Sequence, residues 1–263
     1  MTSPHNFLEV RQVSAGYGRS DIIMSVTLAA PRGQVTTIAG PNGAGKSTLM
    51  KTLAGLLQPR LGQILLDGQD VTRLSPPQRA LAGLGYVPQE RNIFRNLTVG
   101  ENLLIGFEFI RRRAGKKEFA AARTRVLDLF PDLSGRLNHL AGTLSGGQRQ
   151  MLAMGCALTA GPATLLLDEP SAGLSPRYVT SMLDAVAAVN RAGVTVIMIE
   201  QNLIEAMRIA HEVVLLVAGE IKGTWKSDQF LSDPLVRDLF LGSAKAKAAD
   251  PVGGRITNDA SAA

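Results

Sequence analysis

The nine residues GPNGAGKST, at positions 40–48, constrain the fold of this chain more than any other stretch. They match the phosphate-binding pattern G-x-x-x-x-G-K-[ST]. The fixed places of the pattern are filled by Gly40, Gly45, Lys46 and Ser47. A β-branched apolar run at 34–39 precedes the pattern, and apolar residues at helical spacing follow it at 49–57. The stretch therefore predicts a buried strand, a glycine-rich turn and a helix.

Such a turn directs its backbone N–H groups at phosphate oxygens, beside the positive end of the helix dipole. Lys46 is expected to reach the β- and γ-phosphates of a nucleotide, and the Ser47 hydroxyl to ligate Mg²⁺. The alternative is a glycine-rich turn that binds nothing. The candidate nucleotide-binding residues of the loop are Gly40, Pro41, Asn42, Gly43, Ala44, Gly45, Lys46, Ser47 and Thr48.

Length and composition suit one α/β domain with a sizeable core: 263 residues, of which 45% are hydrophobic and 19% charged. The amino terminus lacks a basic start followed by an apolar core, so no signal peptide is expected. No apolar run approaches the ~18 residues that cross a bilayer. Cys156 is the single cysteine, which rules out an intramolecular disulfide. A cytosolic location is the default expectation.

The net charge of +6 permits nucleic acid, an anionic membrane surface or simple solubility. One basic cluster stands out, Arg111–Arg113 with Lys116 and Lys117. It is interpreted as a solvated helix end, with contact to lipid headgroups or a membrane partner as the alternative. Aromatic residues are 5% of the chain and do not interleave with basic ones, which argues against nucleic acid.

Apolar alternation and turn residues predict an α/β core interrupted by a helical segment. Strands are predicted at 7–13, 22–29, 34–39, 62–66, 84–89, 163–168, 194–199, 213–217 and 220–225. Strand signals disappear between 98 and 160, which predicts a helical subdomain at about 95–160, inserted in the core. We expect one domain over residues 1–242 and a disordered tail at 243–263, where little can be buried.

Other candidate functional groups follow predicted strands or open helices. Tyr17, in a glycine-rich turn, is expected either to stack on a base or to pack on the sheet edge. Gln89 lies just past the proline that ends the strand predicted in this stretch, where ligand-facing groups of α/β sheets collect. Asp168 and Glu169 end a leucine-rich strand, as a metal-binding acid and a water-polarising acid would, or as simple turn caps. A second glycine-bearing helix start is either an anion site or an ordinary cap, formed by Ser145, Gly146, Gly147 and Gln148.

Taken in order, these parts resemble the ATP-binding subunit of an ABC transporter over residues 7 to about 241. The stretch at 40–48 corresponds to the phosphate loop of that family, and LSGGQ at 144–148 is its signature letter for letter. The resemblance implies a P-loop NTPase core of mixed sheet and flanking helices with an inserted helical subdomain. It also implies two cassettes paired head to tail, with each ATP held between one phosphate loop and the partner's signature.

The resemblance assigns roles residue by residue. Tyr17 takes the place of the adenine-stacking aromatic residue. Gln89 takes that of the glutamine that contacts Mg²⁺ and the attacking water, facing the membrane partner. Asp168 corresponds to the Mg²⁺-associated acid and Glu169 to the general base.

Two positions depart from the family pattern. The family usually has a histidine after the strand at 194–199, contacting the γ-phosphate, where this chain has Gln201. It usually has an aspartate where Ser175 stands. A glutamine amide donates a hydrogen bond, as a neutral histidine does, although it carries no charge and relays no proton. Hydrolysis is expected to survive, with Glu169 as base and Gln201 in the catalytic set.

These departures resemble one branch of the family, the second ATPase subunit of branched-chain amino acid importers. The resemblance rests on the stretches at 199–202, 173–176 and 97–103. It implies ATP and Mg²⁺ as cofactors and a place on the cytoplasmic face of the membrane. The implied partners are a second ATPase chain, integral permease subunits and, indirectly, a solute-binding protein. Three alternatives remain: an importer of urea or short-chain amides, a soluble ATPase acting on nucleic acid or ribosomes, and a regulatory cassette without turnover.

Overall fold

The structure, a computed structural model, describes residues 6–90, 92–111, 115–237 and 239. Every strand predicted from the sequence is present, with ends that shift by a few residues. The strands are β1 (Asn6–Ala15), β2 (Ile23–Pro31), β3 (Val35–Ala39), β4 (Leu61–Leu66), β5 (Gln69–Asp70), β6 (Leu84–Val87), β7 (Thr164–Asp168), β8 (Thr195–Ile199), β9 (Glu212–Val217) and β10 (Glu220–Lys226).

Helices fill the stretch from 98 to 160 as predicted, since its described residues contain no strand between β6 and β7. Two short 3-10 helices, Pro131–Arg136 and Ala141–Thr143, lie in the same stretch. The α-helices are α1 (Lys46–Leu53), α2 (Pro76–Leu81), α3 (Val99–Ile110), α4 (Lys116–Leu129), α5 (Gly146–Thr159), α6 (Pro176–Arg191), α7 (Leu203–Met207) and α8 (Ser227–Phe230). Whether 95–160 behaves as a subdomain stays a prediction.

The described strands form two sheets, and the larger one is the mixed sheet flanked by helices that the sequence predicts. An antiparallel sheet has the order β2-β1-β4-β5, and a six-stranded sheet has the order β10-β9-β3-β8-β7-β6. In the larger sheet the strands from β9 to β6 run parallel, and only β10 is antiparallel to its neighbour. Strand signals are local, so they do not specify which strands share a sheet.

The parallel sheet is covered on both faces, which explains why its strands are continuous apolar runs. In β7, Leu165 and Leu167 join an apolar cluster formed with α3 to α6. Leu166 faces the opposite way, into a cluster formed with α1 and the antiparallel sheet. Because side chains alternate along a strand, one leucine run supplies both layers of the core.

Helix α1, which follows the phosphate loop, ends earlier than its apolar spacing predicted. Gly55 adopts a left-handed φ of 79°, and Leu56 N–H donates to the Lys51 carbonyl across the end of the helix, 2.9 Å away. This arrangement is a Schellman-type C-terminus. Leu56 therefore lies outside the helix, and it is 56% exposed.

Arg79 of α2 secures the same helix end although it is fully buried. Its guanidinium donates to the carbonyls of Thr52 at 2.7 Å and Leu53 at 2.6 Å, both in the last turn of α1. A further bond reaches the Thr72 carbonyl at 2.8 Å. Burial lowers the pKa of Arg79 to about 10, so the side chain stays charged at neutral pH. It thus ties the end of α1 to the segment after β5.

We expect Arg79→Met to lower the free energy of unfolding by roughly 3–5 kcal/mol, because several buried carbonyls lose a charged donor. Equilibrium urea unfolding of the full chain measures this. Arg73→Met is the matched control, since Arg73 is exposed and, within the described part of the chain, its side chain donates only to the Pro59 carbonyl. A loss for Arg79→Met no larger than that of Arg73→Met would show that the buried guanidinium does not stabilise the fold.

The described residues after Ser227 belong to a second compact unit. Within them, Leu235 N–H donates to Asp233 Oδ1, 2.8 Å away. The predicted disordered tail at 243–263, and Arg112 and Arg113 of the basic cluster, lie outside the described residues. Among the helices that the structure describes, none is long and apolar enough to span a bilayer.

Candidate functional site

Four neighbouring parallel strands place the candidate residues at one edge of the sheet. In the order β3-β8-β7-β6, register pairs Ile38 with Ile199, Asp168 with Ile199, and Val87 with Leu167, so the four strands end together. The phosphate loop follows β3, Gln201 follows β8, Glu169 follows β7 and Gln89 follows β6. The carboxyl edge of a parallel sheet is where such folds bind ligands.

The glycines of the phosphate loop are required by its geometry. Gly40 has φ 156°, and a Cβ there would lie 2.0 Å from the Leu216 carbonyl oxygen. Gly45, the residue before α1, has φ 101° and would bring a Cβ within 2.9 Å of Ile23. Among the residues that the structure describes, no side chain caps the amino terminus of α1. Its first N–H groups therefore lack helical acceptors and are available to an anion.

Lys46 lies in the loop with its ammonium group directed at the loop's own backbone. Its Nζ donates to the carbonyls of Gly40 at 2.8 Å and Pro41 at 3.0 Å, and the residue is 7% exposed. Burial lowers its pKa, while the charges of Glu169 and Asp168 act in the opposite direction. A phosphate entering the loop would be met by a cation that is already held in place.

Tyr17, the predicted base-stacking residue, is 51% exposed. Arg60 stabilises its loop by donating to the Gly18 carbonyl at 2.8 Å and pairing with Asp21. The ring is therefore accessible to a ligand, and its stacking on a base stays a prediction.

Asp168 fits a Mg²⁺ ligand by its surroundings. It is 5% exposed, and its Oδ1 has no hydrogen-bond partner among the described residues. Burial raises its pKa first, and the nearby Glu169 charge raises it further. The described residues contain no cluster of three acidic, histidine or cysteine ligands. Mg²⁺ at nucleotide sites needs only one or two carboxylates beside substrate phosphates, so the residues present fit it.

Glu169 stands at the centre of the site in an unusual backbone conformation. Its φ is 50°, a left-handed value that is uncommon outside glycine. Its Oε2 accepts a hydrogen bond from Gln201 Nε2 at 2.7 Å and another from Gln89 Nε2 at 3.1 Å. The structure thus brings the three predicted catalytic residues into contact through one carboxylate oxygen.

Removing the amide at position 201 tests its role. We expect Gln201→Ala to lower kcat for ATP hydrolysis by about 10-fold, because Glu169 loses its closest donor. Gln201→His should retain more activity than the alanine variant, since a neutral imidazole also donates. Steady-state ATPase assays of the chain assembled with its partners measure this. An unchanged kcat for Gln201→Ala would remove Gln201 from the catalytic set.

The second glycine-bearing helix start, at α5, forms a complete cap. Ser145 Oγ accepts from Gln148 N–H at 3.3 Å, and Gln148 Oε1 accepts from Ser145 N–H at 3.1 Å. The local alternative, a capping box, is therefore present. Gly147 is buried below the ring of Tyr178, whose Cδ1 would lie 3.6 Å from an added Cβ. The cap uses Ser145 and Gln148 side chains, and it leaves the anion-site interpretation untested.

Several residues around the site carried no signal in the sequence analysis. Tyr86 of β6 lies near Asp168; burial raises the pKa of Tyr86, and the Asp168 charge raises it further. Asn92 Nδ2 donates to Gln150 Oε1 at 2.8 Å, which links the loop after Gln89 to α5. Ser171, in the loop after β7, donates two hydrogen bonds to the Glu200 carboxylate. Patterns along one strand do not reveal such contacts between loops.

The fold and this edge of the sheet define a nucleotide-binding ATPase of the P-loop kind. Residues 23–172 match the family described as ABC transporter. The chain belongs to this family, and it is an ATPase whose hydrolysis of ATP is coupled to transport. ABC ATPase subunits pair with another ATPase subunit and with membrane permeases.

Three curated relatives match nearly the whole chain. The high-affinity branched-chain amino acid transport ATP-binding protein BraG of Pseudomonas aeruginosa is 38% identical, covering 89% of this chain and 99% of its own. A probable branched-chain amino acid transport ATP-binding protein, LivF of Archaeoglobus fulgidus, is 37% identical, covering 89% and 98%. The lipopolysaccharide export ATP-binding protein LptB of Haemophilus influenzae is 31% identical, covering 90% and 98%.

Solved structures agree with the fold. An ATP-binding cassette of an ABC transporter in its ADP conformation superposes with a TM-score of 0.81 at 26% identity, covering 90% of this chain and 99% of its own. A dimeric bacterial ABC transporter cassette gives a TM-score of 0.74 at 25% identity, covering 84% and 98%.

Proposed function

We propose that Glu169 is the general base of ATP hydrolysis, because its carboxylate lies where two amides can orient it. In this proposal Gln89 and Gln201 hold Glu169 Oε2 and position the attacking water. Tyr17 stacks on the adenine, while the loop at 40–48 holds the phosphates. The residues that would hold Mg²⁺ are Asp168, Ser47 and Gln89. When bound, Mg²⁺ neutralises charge on the phosphates.

The signature at the start of α5 is proposed to act on a nucleotide bound to a second cassette. Ser145, Gly146, Gly147 and Gln148 would contact that nucleotide through backbone N–H groups of the helix start. Among the described residues, the exposed Ser145 and partly exposed Gly146 are accessible to such a partner. We propose a head-to-tail pair on this basis, formed with a second copy or with a different ATPase chain.

An apolar groove supports a permease partner. It has a volume of about 470 Å³ and lies among α2, β6, α3 and α5. Three large side chains of its lining are exposed: Leu56 at 56%, Phe94 at 55% and Phe109 at 55%. Exposed apolar area of this kind marks a site of protein contact. Because Gln89 directly follows β6, a permease bound here would lie next to the catalytic loop, at the cytoplasmic face of the membrane.

The proposed transported solute is a branched-chain amino acid. The observation that carries this is the match at 37–38% identity, over nearly the full length of both chains, to two branched-chain amino acid transport ATP-binding proteins. Gln201 and Ser175, the two departures from the general pattern, also resemble that branch. Urea or short-chain amides are the second candidate, because the ATPase subunits of their importers resemble this chain in the same stretches.

Copurification tests the proposal. The tagged chain would be purified from its own membranes in mild detergent, and the accompanying subunits identified and reconstituted into liposomes. We expect two permease subunits, a second ATPase chain and ATP-dependent uptake of labelled leucine. Uptake of urea instead of leucine would favour the second candidate. Partners that are soluble or carry RNA, or subunits of lipopolysaccharide export, would contradict the importer assignment.

A further inference from the structure

Glu200 is a buried carboxylate between two loops of the site. It follows β8 directly, precedes Gln201, and is 2% exposed. No ion pair among the described residues includes Glu200. Burial raises its pKa, although hydrogen bonds from Ser171 act in the opposite direction. A buried carboxylate without an ion-pair partner does not stabilise the fold by itself. The role of Glu200 therefore depends on its hydrogen-bond contacts.

Both oxygens of Glu200 are bound to one residue of the neighbouring loop. Oε1 accepts from Ser171 N–H at 2.9 Å, and Oε2 accepts from Ser171 Oγ at 2.7 Å. Ser171 is itself 6% exposed. The two bonds fix the position and the orientation of Ser171, because a bidentate contact leaves little freedom of rotation.

Ser171 belongs to the turn that carries the proposed base. Ala172 N–H donates to the Glu169 carbonyl at 3.0 Å, which closes the turn around Ser171. Glu169 has a left-handed backbone conformation, which surrounding contacts must hold in place. The strand end at β8 supplies two further contacts: Glu169 N–H donates to the Ile199 carbonyl at 3.0 Å, and Gln201 binds the Glu169 carboxylate at 2.7 Å.

We propose that Glu200 is a positioning residue for ATP hydrolysis, acting through Ser171 to fix the turn that presents Glu169. Three consecutive residues then hold the turn. Ile199 binds the backbone of Glu169, Glu200 binds Ser171, and Gln201 binds the Glu169 side chain. The inference rests on the proposed role of Glu169 as base. Displacing a catalytic group by about 1 Å can lower a rate by about 10²-fold, so loss of this contact should affect turnover.

Substitutions at positions 200 and 171 separate positioning from folding. Glu200→Leu removes both bonds at similar size, and we expect kcat to fall about 10- to 100-fold with ATP affinity within about 2-fold of the unmodified chain. Glu200→Gln should restore most of kcat, because its amide can accept from Ser171 N–H and donate to Ser171 Oγ. Ser171→Ala removes one bond and should lower kcat several-fold. Ser171→Ala also tests the contact if Glu200→Leu fails to fold.

The assays use the full chain assembled with its copurified partners, and they measure kcat and the Kd for ATP separately. Glu205→Gln is the matched control and should change neither value, because Glu205 is a partly exposed acid on α7, five residues later, that pairs with Arg208. Combining Glu200→Leu with Ser171→Ala should give the kcat of Glu200→Leu alone, because Glu200→Leu already removes the bond that Ser171→Ala removes. Unchanged kcat in Ser171→Ala, equal losses of kcat and affinity, or a Glu200→Gln variant as slow as Glu200→Leu would overturn the proposal.

Glu169→Gln is measured in parallel to keep this inference distinct from the proposed function. If Glu169→Gln hydrolyses ATP at the normal rate, the role of Glu169 as base fails, and the positioning role fails with it. If Glu169→Gln is inactive while Glu200→Leu and Ser171→Ala keep a normal kcat, only the positioning role of Glu200 is wrong.

Discussion

Glu169→Gln is expected to bind ATP with an affinity close to that of the unmodified chain and to lose nearly all turnover. General-base catalysis by a placed carboxylate supplies about 10²–10⁴-fold, and a neutral amide does not accept the proton from water. The side chain keeps its size, so the contacts from Gln89 and Gln201 can be made to the amide oxygen. Single-turnover hydrolysis and equilibrium binding of ATP, measured on the assembled complex, separate the two effects.

Glu220→Gln is the control for this experiment, because Glu220 is an exposed acid on β10 that pairs with Lys222. Its hydrolysis rate and ATP affinity should match those of the unmodified chain. If Glu169→Gln turned over ATP at the same rate as Glu220→Gln, another group would have to act as base.

Lys46→Ala should lower the affinity for ATP, whereas Glu169→Gln lowers turnover. The substitution removes a cation from a loop where the ammonium group lies 7% exposed, between carbonyls that a bound phosphate would adjoin. Hydrogen bonds to charged groups contribute about 1.5–3 kcal/mol each. We therefore expect affinity for ATP to fall by roughly 10²-fold, measured by calorimetric titration of the purified chain.

Lys222→Ala controls for the loss of one positive charge, because Lys222 lies on β10 and is exposed. Thermal unfolding of both variants checks that the fold is intact. An ATP affinity for Lys46→Ala equal to that for Lys222→Ala would mean that the loop binds phosphate through its backbone alone.

The elements of this chain could be predicted where their signals are local. Thr36 to Ala39 and the glycines after them specify strand and turn, since β-branching and positive φ act within a few residues. The end of α1 could be predicted less accurately from the sequence, because the helix ends at Leu53 although the apolar spacing continues to Leu57. Gly55 and the buried Arg79 decide that end, and a buried arginine cannot be distinguished from an exposed one in a short helix.

The residues of the site could be predicted individually, while their mutual contacts could not. Gln89 and Glu169 are 80 residues apart, and Gln201 and Glu169 are 32 apart, yet they share one oxygen. The contact depends on the order β3-β8-β7-β6, which no local pattern specifies. The sequence does not indicate the contact of Glu200, because an acid after a strand resembles any solvated turn residue.

By itself, the sequence determined the phosphate loop, the helical stretch, the family and the identity of the candidate catalytic groups. These follow from residue type and spacing along the chain, which a linear pattern records. Only the tertiary structure decided that two amides meet on Glu169 and that Glu200 binds Ser171. Such hydrogen bonds form between strand ends that folding brings together. Sheet order and burial determine their partners, and the spacing of residues along the chain does not.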